Sequence, residues 1–112
     1  MQELNKKYRQ FVKERSWEKF HNPKNLAAAL SVEASELLEI FMWLTPEQSA
    51  NLNPDRLNQV KDEMGDVFLY LLRLADVLDL DLIELAARKF AKVKQKYTLE
   101  RSKQHAQEIQ QP

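Results

Sequence analysis

Residues 62–80 read DEMGDVFLYLLRLADVLDL, a run of helix-forming residues that is apolar on almost every face. Val67 and Leu74 share one face of the predicted helix, whereas Phe68 and Leu69 cover others. A helix of this kind is normally central in its fold or covered by a second subunit. Because three partner helices in a chain of 112 residues can hardly enclose it, we predict a homo-oligomer, either a dimer or a tetramer.

Turn-forming residues are scarce outside a few proline sites. A single glycine in 112 residues argues against a strand-rich fold, which needs many tight turns. Asn22-Pro23, Thr45-Pro46 and Asn53-Pro54 each pair an N-cap residue with a proline at the first helical position, and Asp81 with Glu84 repeats the capping spacing. The predicted helices cover residues 2–15, 23–44, 54–79 and 82–100, with a short helical turn after Pro46.

These helices predict an all-α fold, a four-to-five-helix bundle with an antiparallel central helix pair. We expect one domain over residues 1–101 and a polar C-terminal tail over 102–112. The 17 basic residues balance the 17 acidic ones, so the charge gives no support to a nucleic-acid or membrane partner. The absence of cysteine and of an N-terminal apolar segment makes the cytoplasm the expected location.

Acidic residues interrupt the apolar faces of two helices. In residues 32–43, VEASELLEIFMW, Glu33 occupies the middle of an apolar stripe and Glu36 follows three residues later. Glu63 likewise falls in line with apolar residues, and Asp66 follows it. The apolar neighbours are Leu26, Leu30, Leu37 and Ile40 in the first case, and Val60, Val67, Tyr70 and Leu74 in the second. An unpaired charge at such a position is costly, so something must compensate it.

The two acidic pairs lie at similar depths along their helices. Glu33 is 11 residues, about 16 Å, before Leu44, and Glu63 is 9 residues, about 13 Å, after Pro54. A short connection favours antiparallel neighbours, so the pairs should face each other. Each close pair of carboxylates then costs about 4 kcal/mol at an effective dielectric constant near 20. The oxygen-only donors indicate Mg²⁺, with Mn²⁺ as the other suitable cation, and Mg²⁺ commonly bridges to phosphate oxygens.

Other interpretations of the acidic pairs remain open at this point. A single Glu-x-x-Glu on a helix usually marks a solvated face, and lysines across a dimer interface could neutralise both pairs. The protein would then be a non-enzymatic helical interaction module. A di-iron bundle needs Glu-x-x-His on two helices, and only Glu18–His21 has that spacing, so we set it aside.

The same residues carry a family resemblance. The sequence E33-A-S-E36 followed by E63-M-G-D66 resembles the E-x-x-E and E-x-x-D signature of the MazG-like all-α nucleoside triphosphate pyrophosphohydrolases. The run WEKFHNPKNL, residues 17–26, resembles the dCTP-pyrophosphatase branch of that group. The likeness covers about residues 10–100, most of the chain.

The resemblance implies Mg²⁺-dependent hydrolysis of a (deoxy)nucleoside triphosphate to the monophosphate and pyrophosphate, with a pyrimidine, dCTP-like preference. It assigns Glu33, Glu36, Glu63 and Asp66 as metal ligands. Glu36 and Glu33 are the candidate catalytic residues, and we select Glu36, on the edge of the stripe, to take the proton of the attacking water. Such an enzyme would remove unwanted or modified nucleotides from the cellular pool.

Substrate contacts follow from the same resemblance. Base recognition is expected from Trp17, His21, Trp43 and Tyr70. Further contacts are expected from the last helix, to phosphate from Lys89 and Lys96 and also from Tyr97, although lysines at such positions are usually only solvated. Alternatively, Trp43 closes a helical hairpin and Trp17 packs under the first loop.

The last helix departs from the family pattern at two positions. Many members carry asparagine four residues before the tyrosine of this helix, where this chain has Val93, and proline after it, where this chain has Thr98. These departures concern the choice of nucleotide rather than the reaction, because all four predicted metal ligands are present.

Overall fold

The computed structural model describes residues 1–99, 101, 103, 104 and 106. This part of the chain contains helices and turns but no strand, so the predicted all-α class is confirmed. In the same residues no helix has both the length and the hydrophobicity needed to cross a bilayer. The helices are α1 (Gln2–Glu14), a 3-10 helix (Glu18–Phe20), α2 (Pro23–Phe41), α3 (Pro46–Ala50), α4 (Pro54–Val77) and α5 (Leu82–Lys96).

The four predicted N-caps are confirmed. The side chains of Asn22, Asn53 and Asp81 each accept a hydrogen bond from a backbone N–H of the first helical turn, at 2.9, 2.8 and 3.1 Å. Thr45 and Gln48 form a complete capping box at the start of α3, with bonds of 3.2 and 3.0 Å. These bonds satisfy donors that have no partner within the helix, and so fix where each helix begins.

The ends of α1 and α4 were predicted within one or two residues, and both are closed without glycine. Ser16 and Asp79 adopt φ of 55° and 56°, in the left-handed region. In each case the next N–H bonds back to the helix: Trp17 to the carbonyl of Val12 at 3.1 Å, and Leu80 to that of Ala75 at 2.8 Å. These are Schellman-type ends, which turn the chain sharply away from the helix.

Two predicted helix ends were too late. The helix α2 ends at Phe41 rather than at residue 44. The helix α5 ends at Lys96 rather than at residue 100, because Tyr97 leaves the helical conformation with φ −112° and ψ 74°. The Thr98 hydroxyl then accepts a bond from the Arg101 N–H at 3.3 Å, as the cap of a new helical turn does.

The chain divides into two compact units, Met1–Leu80 and Asp81–Pro112. In the first unit α2 packs along α4, and α1 packs on α4. The central pair is antiparallel, as predicted, because residues later in α2 contact residues earlier in α4. These contacts join His21 with Arg73, Glu33 with Glu63, and Ile40 with Arg56. The second unit contains α5, and the predicted tail over 102–112 lies largely outside the described residues.

A small apolar core holds the first unit together. Its buried apolar side chains come from α1, α2 and α4: Val12, Leu26, Val60, Leu72 and Ala75. Leu26 and Leu72 are only 1% and 2% exposed. Because one lies on each helix of the central pair, their burial helps to hold the acidic residues of α2 and α4 at the same level.

Candidate metal and nucleotide site

Three of the four predicted metal ligands converge between α2 and α4. One carboxylate oxygen each from Glu33, Glu36 and Glu63 lies within 4.8 Å of the other two. The i and i+3 spacing turns Glu33 and Glu36 to the same side of α2, and the antiparallel pairing brings Glu63 opposite them. Asp66, one turn further along α4, is exposed and does not belong to this group. The group Glu33, Glu36 and Glu63 is called the carboxylate cluster below.

The carboxylate cluster has no positive partner within the described part of the chain. The Oε2 atoms of Glu33 and Glu63 are buried and accept no hydrogen bond. The ion pairs of the described residues are Arg9–Asp76, Arg15–Glu14 and Arg73–Asp76, and none of them reaches the cluster. A buried acceptor without a donor costs about 1–3 kcal/mol, and more when it is charged. A bound cation would remove this cost.

Mutual repulsion also changes the acidity of the cluster. The adjacent carboxyl of Glu63, with which Glu33 can share a proton, raises the pKa of Glu33 most, and burial raises it further. The charge of Asp66 adds to this increase, so Asp66 acts on the cluster although it is not part of it. The neighbouring Glu33 in turn raises the pKa of Glu36. An all-oxygen donor set of this kind fits a hard divalent cation such as Mg²⁺ or Mn²⁺.

A cleft of about 570 Å³ opens beside the carboxylate cluster. Glu36 and Glu63 line it, so it communicates directly with two of the predicted ligands. Trp43 also lines the cleft and is 87% exposed, which leaves the indole accessible to a planar ligand. The remaining lining residues are Glu39, Ile40, Arg56 and Gln59.

Arg56 is a site residue that the sequence analysis missed. Its guanidinium Nη1 donates to the Ile40 carbonyl at 3.5 Å, which directs the side chain across to α2. Within the described residues no carboxylate lies at ion-pair distance from it. Its spacing could have identified it, because Arg56 precedes Glu63 by seven residues and therefore lies on the same face of α4. Gln59, four residues before Glu63, could have been found in the same way.

Trp17 and His21 form a second aromatic group, away from the cleft. Their ring centroids are 6.3 Å apart, and Trp17 also meets Phe11 edge-on at 5.4 Å. The Schellman-type end of α1 turns the chain at Ser16 and so brings Trp17 back against Phe11. Trp17 remains 42% exposed, so its packing leaves much of the indole accessible.

The two predicted aromatic sites lie at opposite ends of the central helix pair. Trp43 lies just after the end of α2, 10 residues or about 15 Å beyond Glu33. His21 contacts Arg73, which is 10 residues, about 15 Å, beyond Glu63 along α4, and the two helices run in opposite directions. A nucleoside that stacks on Trp43 of one chain could therefore contact His21 only of a second copy of the chain.

Tyr70 lies seven residues, about two turns, beyond Glu63 on α4, and the remaining predicted substrate residues belong to the second unit. Tyr70 is half-buried beside Tyr8: burial raises the pKa of the Tyr8 phenol, and the nearby Tyr70 raises it further. Lys89, Lys96 and Tyr97 are exposed on or just after α5, in the second unit. The Lys96 ammonium lies 5.4 Å from the Tyr97 ring centroid. A role for these four residues in substrate binding stays a prediction.

A buried arginine is the second feature that the sequence analysis missed. The Arg73 side chain is only 10% exposed, and it donates hydrogen bonds to His21 and to Asp76. Asp76 also accepts hydrogen bonds from Arg9 in α1: its Nε is shared between the two carboxylate oxygens at 3.0 and 2.9 Å, and its Nη2 donates to Oδ1. Hydrogen bonding to Arg9 lowers the pKa of Asp76 most, whereas burial and the charge of Arg73 lower the pKa of His21.

The fold and the site together define an all-α protein in which two antiparallel helices supply one acidic centre. A model of the MazG-like family matches residues 28–111, and the chain belongs to this family. A crystal structure of a pyrophosphatase from Archaeoglobus fulgidus superposes with a TM-score of 0.83 at 41% identity, covering 88% of this chain and 92% of that one.

The chain is also similar in sequence to curated dCTP pyrophosphatases. The chain is 31% identical over 105 residues to dCTP pyrophosphatase 1 of Rattus norvegicus, and 34% identical over 84 residues to dCTP pyrophosphatase 1 of Homo sapiens. These alignments cover 92% and 73% of this chain. They span 62% and 49% of the lengths of the rat and human proteins, so each relative contains residues that this chain does not match.

Proposed function

We propose that the protein hydrolyses (deoxy)nucleoside triphosphates to the monophosphate and pyrophosphate in a reaction that depends on Mg²⁺ and that Mn²⁺ can also support. The observation that carries the proposal is the carboxylate cluster, in which Glu33 and Glu63 each bury a carboxylate oxygen without a donor. Membership of the MazG-like family and the names of the relatives give this site its reaction class.

The residues of the site have distinct roles in this proposal. Glu33, Glu36 and Glu63 would hold the cation, with Asp66 as the fourth acidic residue at its edge. When bound, the cation supplies charge neutralisation at the phosphates. Glu36 takes the proton of the water that attacks the α-phosphorus, and pyrophosphate leaves as the α–β phosphoanhydride bond breaks. Glu36 suits this role because it belongs to the cluster and also lines the cleft.

The preferred substrate in this proposal is a dCTP-like pyrimidine nucleotide, and the biological role is the cleaning of nucleotide pools in the cytoplasm. The dCTP preference is supported by the names of the relatives. The alignment with the rat protein spans 62% of that protein's length. The test is a panel of canonical and modified triphosphates with Mg²⁺, in which both products are identified. Equal amounts of monophosphate and pyrophosphate support the proposal, whereas release of inorganic phosphate would point to attack on a different bond.

Mg²⁺ should stabilise the nucleotide-free protein. At a concentration of 100 times its Kd, a ligand that binds only the folded state adds about 2.7 kcal/mol to the free energy of unfolding. We expect this gain as a higher Tm in thermal unfolding, and its loss in the Glu63→Gln variant. The interaction-module alternative, in which lysines of a second copy neutralise the carboxylate cluster, predicts no gain from Mg²⁺. An unchanged Tm would therefore favour that alternative.

The replacement Trp43→Ala should weaken substrate binding. Stacking of a base on an aromatic ring is worth about 1–3 kcal/mol, so we expect KM for dCTP to rise about 5- to 150-fold with a smaller effect on kcat. Trp43→Phe is the matched control, because it keeps an aromatic face at the cleft. If alanine leaves KM unchanged, Trp43 does not contact the base.

The replacement Arg56→Gln should lower kcat/KM about 10- to 150-fold. The basis is the loss of a charge-assisted hydrogen bond to a phosphate oxygen, worth about 1.5–3 kcal/mol. Lys61→Gln removes a positive charge from the same helix outside the cleft lining, so it should leave kcat/KM nearly unchanged. Equal losses in the two variants would show that only the overall charge matters.

We also propose that the protein acts as a homo-oligomer, a dimer or a tetramer. Leu57, Met64 and Phe68 form an exposed apolar stripe along α4, with exposed fractions of 43%, 58% and 37%. Apolar side chains grouped in this way usually belong to an interface. Light scattering at micromolar concentration should give a multiple of the 13.2 kDa chain mass, and Met64→Lys with Phe68→Lys should reduce it. A monomeric mass for the wild-type chain would refute the proposal.

A further inference from the structure

Arg73 is fixed on both sides before any ligand arrives. Its Nη1 donates to Oδ2 of Asp76 at 3.0 Å, and its Nε donates to Nδ1 of His21 at 3.1 Å. Asp76 is held in turn by Arg9 of α1, so the guanidinium cannot easily rotate away. Among the described residues of the first unit, Arg73 is the charged residue that is buried. The proposed reaction gives it no role.

The contact with Arg73 determines where His21 carries its proton. A guanidinium group can only donate hydrogen bonds, so Nδ1 of His21 must offer a lone pair. In the neutral imidazole the proton then resides on Nε2. The side chains around the ring are Tyr8 of α1, Trp17 and Arg73, and no hydrogen bond from Nε2 to a described residue competes for that donor.

We propose that Arg73 is a positioning residue that holds His21 in its Nε2–H form, so that His21 presents one hydrogen-bond donor beside Trp17 to an acceptor atom of the nucleoside. A ring carbonyl oxygen of a pyrimidine is an acceptor of this kind. The nucleoside part rests on the proposed function, whereas the tautomer is a property of the protein alone. Burial and the charge of Arg73, which lower the pKa of His21, keep the ring neutral near pH 7.

The competing explanation is that Arg73 serves only to neutralise Asp76. Nε and Nη2 of Arg9 already donate to the same carboxylate, so neutralisation does not require Arg73. Arg9→Met is therefore the matched control: it removes an arginine from Asp76 but leaves the contact between Arg73 and His21. Arg73→Met removes that contact and leaves Asp76 paired with Arg9.

The tautomer can be measured without any nucleotide. In protein labelled with ¹⁵N-histidine, long-range proton–nitrogen spectra distinguish a protonated from an unprotonated ring nitrogen. Comparison with His21→Gln separates the signals of His21 from those of His105. We expect a protonated Nε2 and an unprotonated Nδ1 in the wild-type and Arg9→Met proteins, and an averaged mixture in Arg73→Met. A wild-type spectrum with the proton on Nδ1 overturns the proposal, even if Arg73→Met does not fold.

Kinetics with dCTP and Mg²⁺ test the contact with the nucleoside. A lost hydrogen bond should raise KM about 3- to 10-fold in Arg73→Met with kcat nearly unchanged, and Arg9→Met should retain the wild-type KM. Because Arg73 acts through His21, the double variant Arg73→Met/His21→Gln should have the KM of His21→Gln alone. If the rise in KM of the double variant equals the product of the two single rises, Arg73 does not act through His21 and the proposal is overturned. Failure of the wild-type protein to hydrolyse dCTP would contradict the proposed function but leave the tautomer result standing.

Discussion

Replacing Glu33 by glutamine should abolish pyrophosphate release while making the metal-free protein more stable. Loss of a single contact that stabilises charge in a transition state typically costs about 10²–10³-fold in kcat, and a charged metal ligand should cost at least as much. The stability gain is expected because the buried Oε2 of Glu33 has no donor and faces Glu63. Lower activity together with higher metal-free stability is the result expected for carboxylates that are arranged to bind a cation.

The stability gain of Glu33→Gln should depend on pH. The pKa of Glu33 is raised above its ordinary value of 4.5, so the folded metal-free protein keeps this proton at a pH where the unfolded chain has lost it. Stability from this group therefore falls as pH rises above about 4.5, and glutamine removes that fall. The difference in Tm between variant and wild type should grow from pH 4.5 towards the raised pKa and then level off.

The control for this variant is Glu3→Gln on α1, an exposed glutamate remote from the carboxylate cluster. It should change neither kcat nor Tm appreciably. Glu36→Gln should abolish Mg²⁺-dependent pyrophosphate release while keeping the helical circular dichroism signal. If Glu36→Gln turns over at the wild-type rate, Glu36 is not the residue that takes the proton of the water.

Truncating Leu72 should cause a large loss of stability. Leu72 is 2% exposed on α4, and a Leu→Ala change at such a site costs about 2–5 kcal/mol. That is a large part of the ~5–15 kcal/mol that stabilises a typical domain. We expect a clearly lower urea midpoint and, at temperatures where the variant remains folded, a weaker response of Tm to Mg²⁺, because α2 and α4 hold the carboxylate cluster together.

Leu4→Ala provides the comparison, since Leu4 is 40% exposed in the first turn of α1. Surface substitutions usually change stability by about 0.5 kcal/mol or less. Similar losses in the two variants would mean that Leu72 is not packed as described, and that the register of α2 against α4 does not depend on it.

Much of the fold could be predicted because it depends on local chemistry. The caps at Asn22, Thr45, Asn53 and Asp81 determine where helices begin, and each involves residues within one turn. The predicted end of α5 was too late for a similarly local reason. The sequence pattern of the helix continues past Lys96, but the Thr98 hydroxyl caps a new helical turn there. The antiparallel pairing followed from the short connection between α2 and α4.

The site was predicted less completely because its contacts are distant in sequence. The spacing within each helix indicated the acidic pairs, and the helix pairing brings Glu33, Glu36 and Glu63 together. Arg73 was missed because an arginine in an apolar helix gives no sign of its partners, one of which is 52 residues away at His21. Side-chain directions at the edge of the central pair, where Asp66 stays outside the cluster, likewise follow from packing rather than from spacing.

The central claim is that the carboxylate cluster binds a divalent cation between α2 and α4. The most direct measurement is an anomalous difference map from a crystal grown with Mn²⁺ and a non-hydrolysable dCTP analogue. The account predicts a manganese peak in contact with carboxylate oxygens of Glu33, Glu36 and Glu63. A map with no peak there, or with manganese bound only to the nucleotide and away from these three side chains, would contradict it.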